Sequence, residues 1–209
     1  DQRKVWFNWF KDFFKLSKRL GARGGGSHFG IMSMHDCYTE KRREMIVNNA
    51  INSWRRLTQF GSELGFEFLI FEPMSVPREM GWTIEETKEL LKKVNSDNPG
   101  VPLLVCLDIG HAPHPDQRDP YIWCKELGDL SPIVHIQQTE QGHSRHWPFT
   151  DEYNKKGIID PAKVMDALEE GGAEDVMFLF EISHRERYPG ELKVVEDLRE
   201  SAAYWKSFL

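Results

Sequence analysis

At 209 residues the chain has the length of one domain, or most of one, and can bury a sizeable core. It is 40% hydrophobic and 29% charged, and no segment approaches the ~20 apolar residues of a membrane-spanning helix, so a helical span is excluded. A formal net charge of −6 argues against a general binder of nucleic acid or anionic membrane.

The chain opens on an amphipathic helix (Val5, Trp6, Trp9, Phe10, Phe13, Phe14, Leu16, Leu20) that stops at Gly21. So many large apolar residues on one helix imply a neighbouring surface to bury them. With no initial methionine, the expectation is a longer protein whose front is absent here. The first residues lack the apolar core of a signal peptide.

Ala22–Gly30 is glycine-rich and ends near His28. A phosphate cradle would need an apolar strand before the glycines and a helix starting at them, and neither fits. The passage reads as a short strand packed close to a partner or ligand, with His28 either facing a site or capping a loop. A long helix follows from about Thr39 to Leu64, carrying Met45, Ile46, Ala50, Ile51, Trp54, Leu57 and Phe60 at helical spacing.

Phe66–Pro73 is an apolar run ending on a carboxylate, Glu72, and its loop carries Arg78 and Glu79. Thr83-Ile84-Glu85-Glu86 opens a capped helix to about Val94. Val101–Asp108 is the run around which the chain is organised: branched, too short for an ordinary helix, and ending Asp108-Ile109-Gly110-His111. It reads as a parallel strand buried on both faces. Tyr121–Leu130 is a helix, Ile133–Thr139 a strand bearing His135 and Gln137, and Gln141–Phe149 a segment too polar and aromatic for a simple connector. Asp160–Glu169 is a helix with Pro161 in its first turn. Val176–Glu181 is the third apolar strand to end on a carboxylate, Arg185 and Arg187 lie in the loop beyond it, and Leu192–Leu209 closes as an amphipathic helix.

Strict alternation of helix and strand means parallel βα units in one domain, residues 1–209, either an open sheet or a barrel. Five strands do not close an eight-stranded barrel, whereas three more βα units would. In a parallel sheet Glu72, Asp108, Gln137 and Glu181 all stand at carboxyl ends and converge on one face. Three carboxylates and an amide oxygen suit Mg²⁺ or Mn²⁺ and suit zinc poorly. Without a cation the carboxylates would repel and one would take up a proton. His111 and His135 share that face and either bind substrate hydroxyls or pack. Arg145, Arg185 and Arg187 either grip a phosphate or stay solvated, and Trp147-Pro148-Phe149 either walls a sugar pocket or joins the core. Cys37, Cys106 and Cys124, odd in number and unrelated in spacing, suggest reduced thiols in a cytoplasmic protein.

Glu72-Pro73, Leu107-Asp108-Ile109-Gly110-His111, His135-Ile136-Gln137 and Phe180-Glu181-Ile182 resemble the xylose-isomerase-like β/α-barrel superfamily, which includes ketose 3-epimerases and hydroxypyruvate-isomerase-like enzymes. The resemblance covers essentially the whole chain and implies a (β/α)8 TIM barrel, here its last five βα units. It implies one divalent cation (Mn²⁺ or Mg²⁺, with Co²⁺ admitted) held by Glu72, Asp108, Gln137 and Glu181. Ketose epimerases have His where Gln137 stands, while the hydroxypyruvate-isomerase-like members use Gln. Glu72 and Glu181 would double as the acid/base pair of an enediolate reaction, and His111 and Glu79 would contact substrate oxygens. The implied activity is isomerisation or epimerisation of a short ketose or ketose phosphate. The passages Gly25–Met32 and His135–Phe149 look closest to the family's sugar-phosphate isomerase and epimerase branch, which implies a small sugar or sugar-phosphate partner. Charge and hydropathy argue against nucleic acid and membrane, and the exposed edge strands of an open five-stranded sheet lead to the expectation of a homo-oligomer. The alternatives are a 3-oxo-sugar-acid decarboxylase on the same site, an abasic-site endonuclease, which the acidic charge disfavours, and a non-catalytic sugar-binding module.

Overall fold

The computed structural model describes residues 2–111, 117–183 and 193–209. The chain divides into two compact units, Asp1–Val105 and Cys106–Leu209. Five parallel strands run in the order β1-β2-β3-β4-β5, the half-barrel arrangement of a TIM-barrel fold. The boundary between the units falls inside the third strand.

In the first unit, α1 (Gln2–Arg19) leads through Gly21 into β1 (Gly24–His28). Phe14 is the residue of α1 that is fully buried, edge-on against Phe66, while Val5, Trp6, Trp9, Leu16 and Leu20 are exposed. The glycine run does form a strand, and its glycines have a steric cause. A Cβ on Gly26 would lie 1.8 Å from the Ile70 carbonyl oxygen of β2 (Phe68–Glu72). The pairing of β1 with β2 is parallel, from Gly24↔Phe68 to His28↔Glu72.

A short α2 (Met34–Cys37), not evident from periodicity, is capped by Ser33, whose hydroxyl accepts the Asp36 N–H. Then α3 (Glu40–Glu63) buries Ile51, Trp54 and Leu57, and the Trp54 indole N–H donates to the Phe29 carbonyl at 2.8 Å. Met45, on the predicted apolar stripe, is exposed. The N-cap of α4 (Ile84–Asn95) is Thr83, as its sequence predicts. The third strand, β3 (Leu103–Asp108), begins two residues later than its apolar run. The Asn95 side chain clamps Leu103 there, donating to its carbonyl and accepting its N–H, both at 2.9 Å. Its first half pairs with β2 through Leu69↔Leu103 to Phe71↔Val105.

In the second unit, the remainder of β3 pairs with β4 (Ile133–Ile136) from Cys106↔Ile133 to Asp108↔His135. Leu103, Val105, Cys106 and Leu107 are all buried, which fits a strand covered on both faces. Between them lie α5 (Pro120–Leu127), capped by Asp119, and a 3-10 turn at Gly128–Leu130. A second unpredicted short helix, α6 (Asp151–Asn154), precedes α7 (Pro161–Glu170), whose first turn holds Pro161 and whose cap is Asp160.

The last strand, β5 (Met177–Phe180), pairs with β4 along its length. It is not buried on both faces: Met177 and Leu179 stay 59% and 51% exposed, because β5 ends the strand order and nothing among the described residues covers that face. The closing helix, α8 (Val194–Lys206), seats buried Trp205 against Phe149 and Phe178. Its expected start at Leu192 lies outside the described residues, as do Arg185 and Arg187. No helix is long and apolar enough to cross a membrane among the described residues.

Candidate active site

In the first unit, the strand ends bring two predicted residues together. His28 and Glu72 are register partners at the carboxyl ends of β1 and β2, with His28 Nε2 3.7 Å from a Glu72 carboxylate oxygen. Glu72 is the more enclosed, its side chain 12% exposed against 53% for His28. Glu79 sits in the loop after β2, where its backbone forms a bridge to Ile31.

In the second unit the ends of β3, β4 and β5 build a denser cluster around Asp108, which is 3% exposed. The Asp108 carboxylate accepts the Gly110 N–H at 2.6 Å, closing the turn that carries the chain off the sheet. It also accepts the Gln137 amide at 2.9 and 3.1 Å, and His111 Nε2 stands 3.6 Å away. His135 Nδ1 lies 2.9 Å from a Glu181 carboxylate oxygen. Asp108, His135 and Glu181 each offer a ligand atom, and these atoms lie within 4.8 Å of one another. Burial pushes the Asp108 carboxyl up to about 7; the adjacent Glu181 adds to the rise, while His111 and the Gln137 hydrogen bond oppose it.

A carboxyl forced toward its neutral form beside a second carboxylate and an imidazole has the chemistry of a divalent-cation site. A cation there would remove the repulsion that raises Asp108. The donor set differs in emphasis from the all-oxygen one expected from sequence. Gln137, one residue beyond β4, turns its nitrogen toward Asp108, and its oxygen accepts the His146 N–H at 2.6 Å. His135 supplies a nitrogen donor within the group instead. A Cβ on Gly110 would lie 2.3 Å from Gln137 Cδ, so this amide needs glycine opposite it.

The structure also brings in two residues that sequence reasoning left inside an unassigned polar segment. His146 places Nδ1 3.0 Å from the Glu181 carbonyl oxygen and Nε2 3.1 Å from Ser144 Oγ. It adopts a left-handed φ of 52°, and its ring meets His111 edge-on. Histidines spaced like His143 and His146 on a loop after a strand were the available signal. Arg145, by contrast, is turned onto Glu140 at 2.8 Å. Phe149 is fully buried core, and Trp147 stacks on Tyr153.

The family model described as "xylose isomerase-like TIM barrel" matches residues 3–208. A D-erythrulose 1-phosphate 3-epimerase from Brucella abortus (strain 2308) is 34% identical over 209 residues, covering 98% of this chain and 67% of that protein. The structure of a candidate xylose isomerase from Rhodospirillum rubrum ATCC 11170 superposes with a TM-score of 0.82 at 21% identity, covering 99% of this chain and 68% of the other. D-psicose 3-epimerase with D-tagatose from Clostridium cellulolyticum H10 gives a TM-score of 0.70 at 15% identity, covering 99% and 70%.

Proposed function

This chain belongs to the xylose isomerase-like TIM-barrel family as a sugar isomerase or epimerase, and we propose that it epimerises a short ketose phosphate with the help of one divalent cation. The observation that carries this reading is the Asp108–His135–Glu181 cluster, two carboxylates and an imidazole with ligand atoms within 4.8 Å. Asp108 and Glu181 would hold the cation, with Glu72 joining them in the ligand set the family resemblance implies, while Gln137, whose oxygen takes the His146 N–H, would hold the Asp108 carboxylate from behind. When bound, the cation supplies positive charge against which a carbonyl and an adjacent hydroxyl lose electron density. Mn²⁺ or Mg²⁺ suits the carboxylates best.

The chain's own residues then move the proton. One of Glu72 and Glu181 takes the proton from the carbon beside the carbonyl, leaving an enediolate, and the other returns a proton to the opposite face. His135, with Nδ1 2.9 Å from a Glu181 carboxylate oxygen, stands beside that carboxylate. His111, half-buried beside Asp108, and Glu79 are assigned to substrate hydroxyls. Arg145 is assigned to the phosphate, which would replace Glu140 as its partner. The phosphorylated tetrulose acted on by the 34% identical relative is the substrate class we favour. Three buried thiols, Cys37, Cys106 and Cys124, agree with a reducing, cytoplasmic setting.

Calorimetric titration of the metal-stripped protein with Mn²⁺, in parallel with Glu181→Gln, tests the site. One saturable site, weakened in the variant, is expected. Incubation with a tetrulose 1-phosphate in deuterated water should then place deuterium at C3. Absence of Mn²⁺ binding by the intact chain would sink the metal-dependent reading, and binding without C3 exchange would sink the epimerase assignment.

A further inference from the structure

The polar segment after β4 does more than connect elements. Glu181 offers His146 a backbone carbonyl, which can only accept, so His146 Nδ1 carries the proton of that 3.0 Å contact. Nε2 faces the Ser144 hydroxyl at 3.1 Å and accepts its hydrogen in the Nδ1–H tautomer. Ser144 Oγ accepts one amide hydrogen of Gln137 at 3.2 Å. The other amide hydrogen goes to Asp108, and the Gln137 oxygen takes the His146 N–H at 2.6 Å. The Ser144 hydroxyl also stands 3.3 Å from the Gln137 oxygen, so its one hydrogen goes either to the ring or to that oxygen; in both cases the amide nitrogen faces Asp108 and its oxygen faces the His146 N–H. Turning the Gln137 amide over would set N–H against the His146 N–H and oxygen against the Asp108 carboxylate.

We propose that Ser144 and His146 are positioning residues that fix the orientation of the Gln137 carboxamide, and through it the Asp108 carboxylate, for cation binding. The inference rests on the metal-site reading above. The left-handed backbone at His146 is part of the device, because it aims the N–H at Gln137 while the ring returns toward Glu181. Side chains that orient ligands from behind commonly change metal affinity by about tenfold to a hundredfold when removed.

The test is Mn²⁺ calorimetry on the intact protein and on Ser144→Ala, His146→Asn and Ser144→Thr. Asparagine tolerates the left-handed φ and keeps the backbone N–H while deleting the ring. Expected is a loss of Mn²⁺ affinity of about tenfold or more in Ser144→Ala and His146→Asn. Ser144→Thr, which keeps the hydroxyl, should bind as the parent does. Melting of the chelator-treated proteins should barely move for Ser144→Ala, which separates orientation of the ligands from general stability. Parental binding with both variants within twofold of it overturns the inference and leaves the metal site standing. No binding by the parent overturns both.

Discussion

Asp108 allows a sharp test, because the group proposed to hold the cation should burden the protein when no cation is added. Burial holds its carboxyl at about 7, against an ordinary 3.8. At about 1.4 kcal/mol per pH unit, keeping it ionised above pH 7 costs roughly 4 kcal/mol. The folded chain therefore binds this proton more tightly than the unfolded chain. Between pH 3.8 and about 7 the unfolded state carries the fewer protons, so this contribution to stability falls as pH climbs through that window and is flat above it.

Asp108→Asn mimics the protonated acid at every pH. Its oxygen can still accept the Gly110 and Gln137 N–H groups, and its nitrogen can donate toward Glu181. In chelator-treated protein the variant should melt on the order of 10 °C above the parent at pH 8, and roughly a third of that above it at pH 5. Added Mn²⁺ should raise the parent's melting temperature and leave the variant's unchanged. Differential scanning fluorimetry at the two pH values reads all of this. A gain of equal size at both pH values, or a loss at pH 8, would refute the argument that burial of an ionised Asp108 is the destabilising element.

The same proton predicts the pH dependence of metal binding. Because Asp108 must ionise to bind, Mn²⁺ affinity should rise about tenfold per pH unit up to about pH 7 and then level off. Calorimetry at pH 6 in buffers of different ionisation enthalpy should detect close to one proton released; a flat affinity between pH 5.5 and 7 contradicts it. At the other end of the half-barrel, Gly26→Ala should cost about 3 kcal/mol or more, since its Cβ would sit 1.8 Å from a β2 carbonyl that cannot retreat. Gly25→Ala, meeting the Phe14 ring at 3.3 Å, should change stability by under about 1 kcal/mol. Urea melts of the pair check the contrast, and equal losses would remove the backbone-proximity explanation of the glycine run.

The fold was readable because its signals are local and repeated. Apolar runs ending on Glu72, Asp108 and Glu181, spaced by helical patterns with a cap at Thr83 and a first-turn Pro161, define βα units without knowledge of any contact. Less was readable where local patterns are weak or geometry decides. Four-residue helices such as Met34–Cys37 and Asp151–Asn154 have no room for a periodicity. Exposure of Met177 and Leu179 follows from the place of β5 in the strand order, which composition does not encode. Arg145 has the charge of a phosphate ligand, yet Glu140, five residues away on the same loop, takes its guanidinium.

Gln137 shows the limit most clearly. As a residue type at a strand end it reads as an amide oxygen offered to a cation, and nothing in a one-dimensional pattern says which end of the amide faces the carboxylate. The answer is distributed over residues far from it in type: Gly110, whose missing Cβ admits the amide, Ser144, which takes one hydrogen, and His146, which takes the oxygen. A carboxylate in its place would add charge beside an aspartate already pushed to about 7. An imidazole would offer one donor where the amide offers two. The amide gives one hydrogen to Asp108 and the other to Ser144 while its oxygen takes the His146 N–H, against a glycine that leaves it room, so these four positions act as one packed and hydrogen-bonded unit.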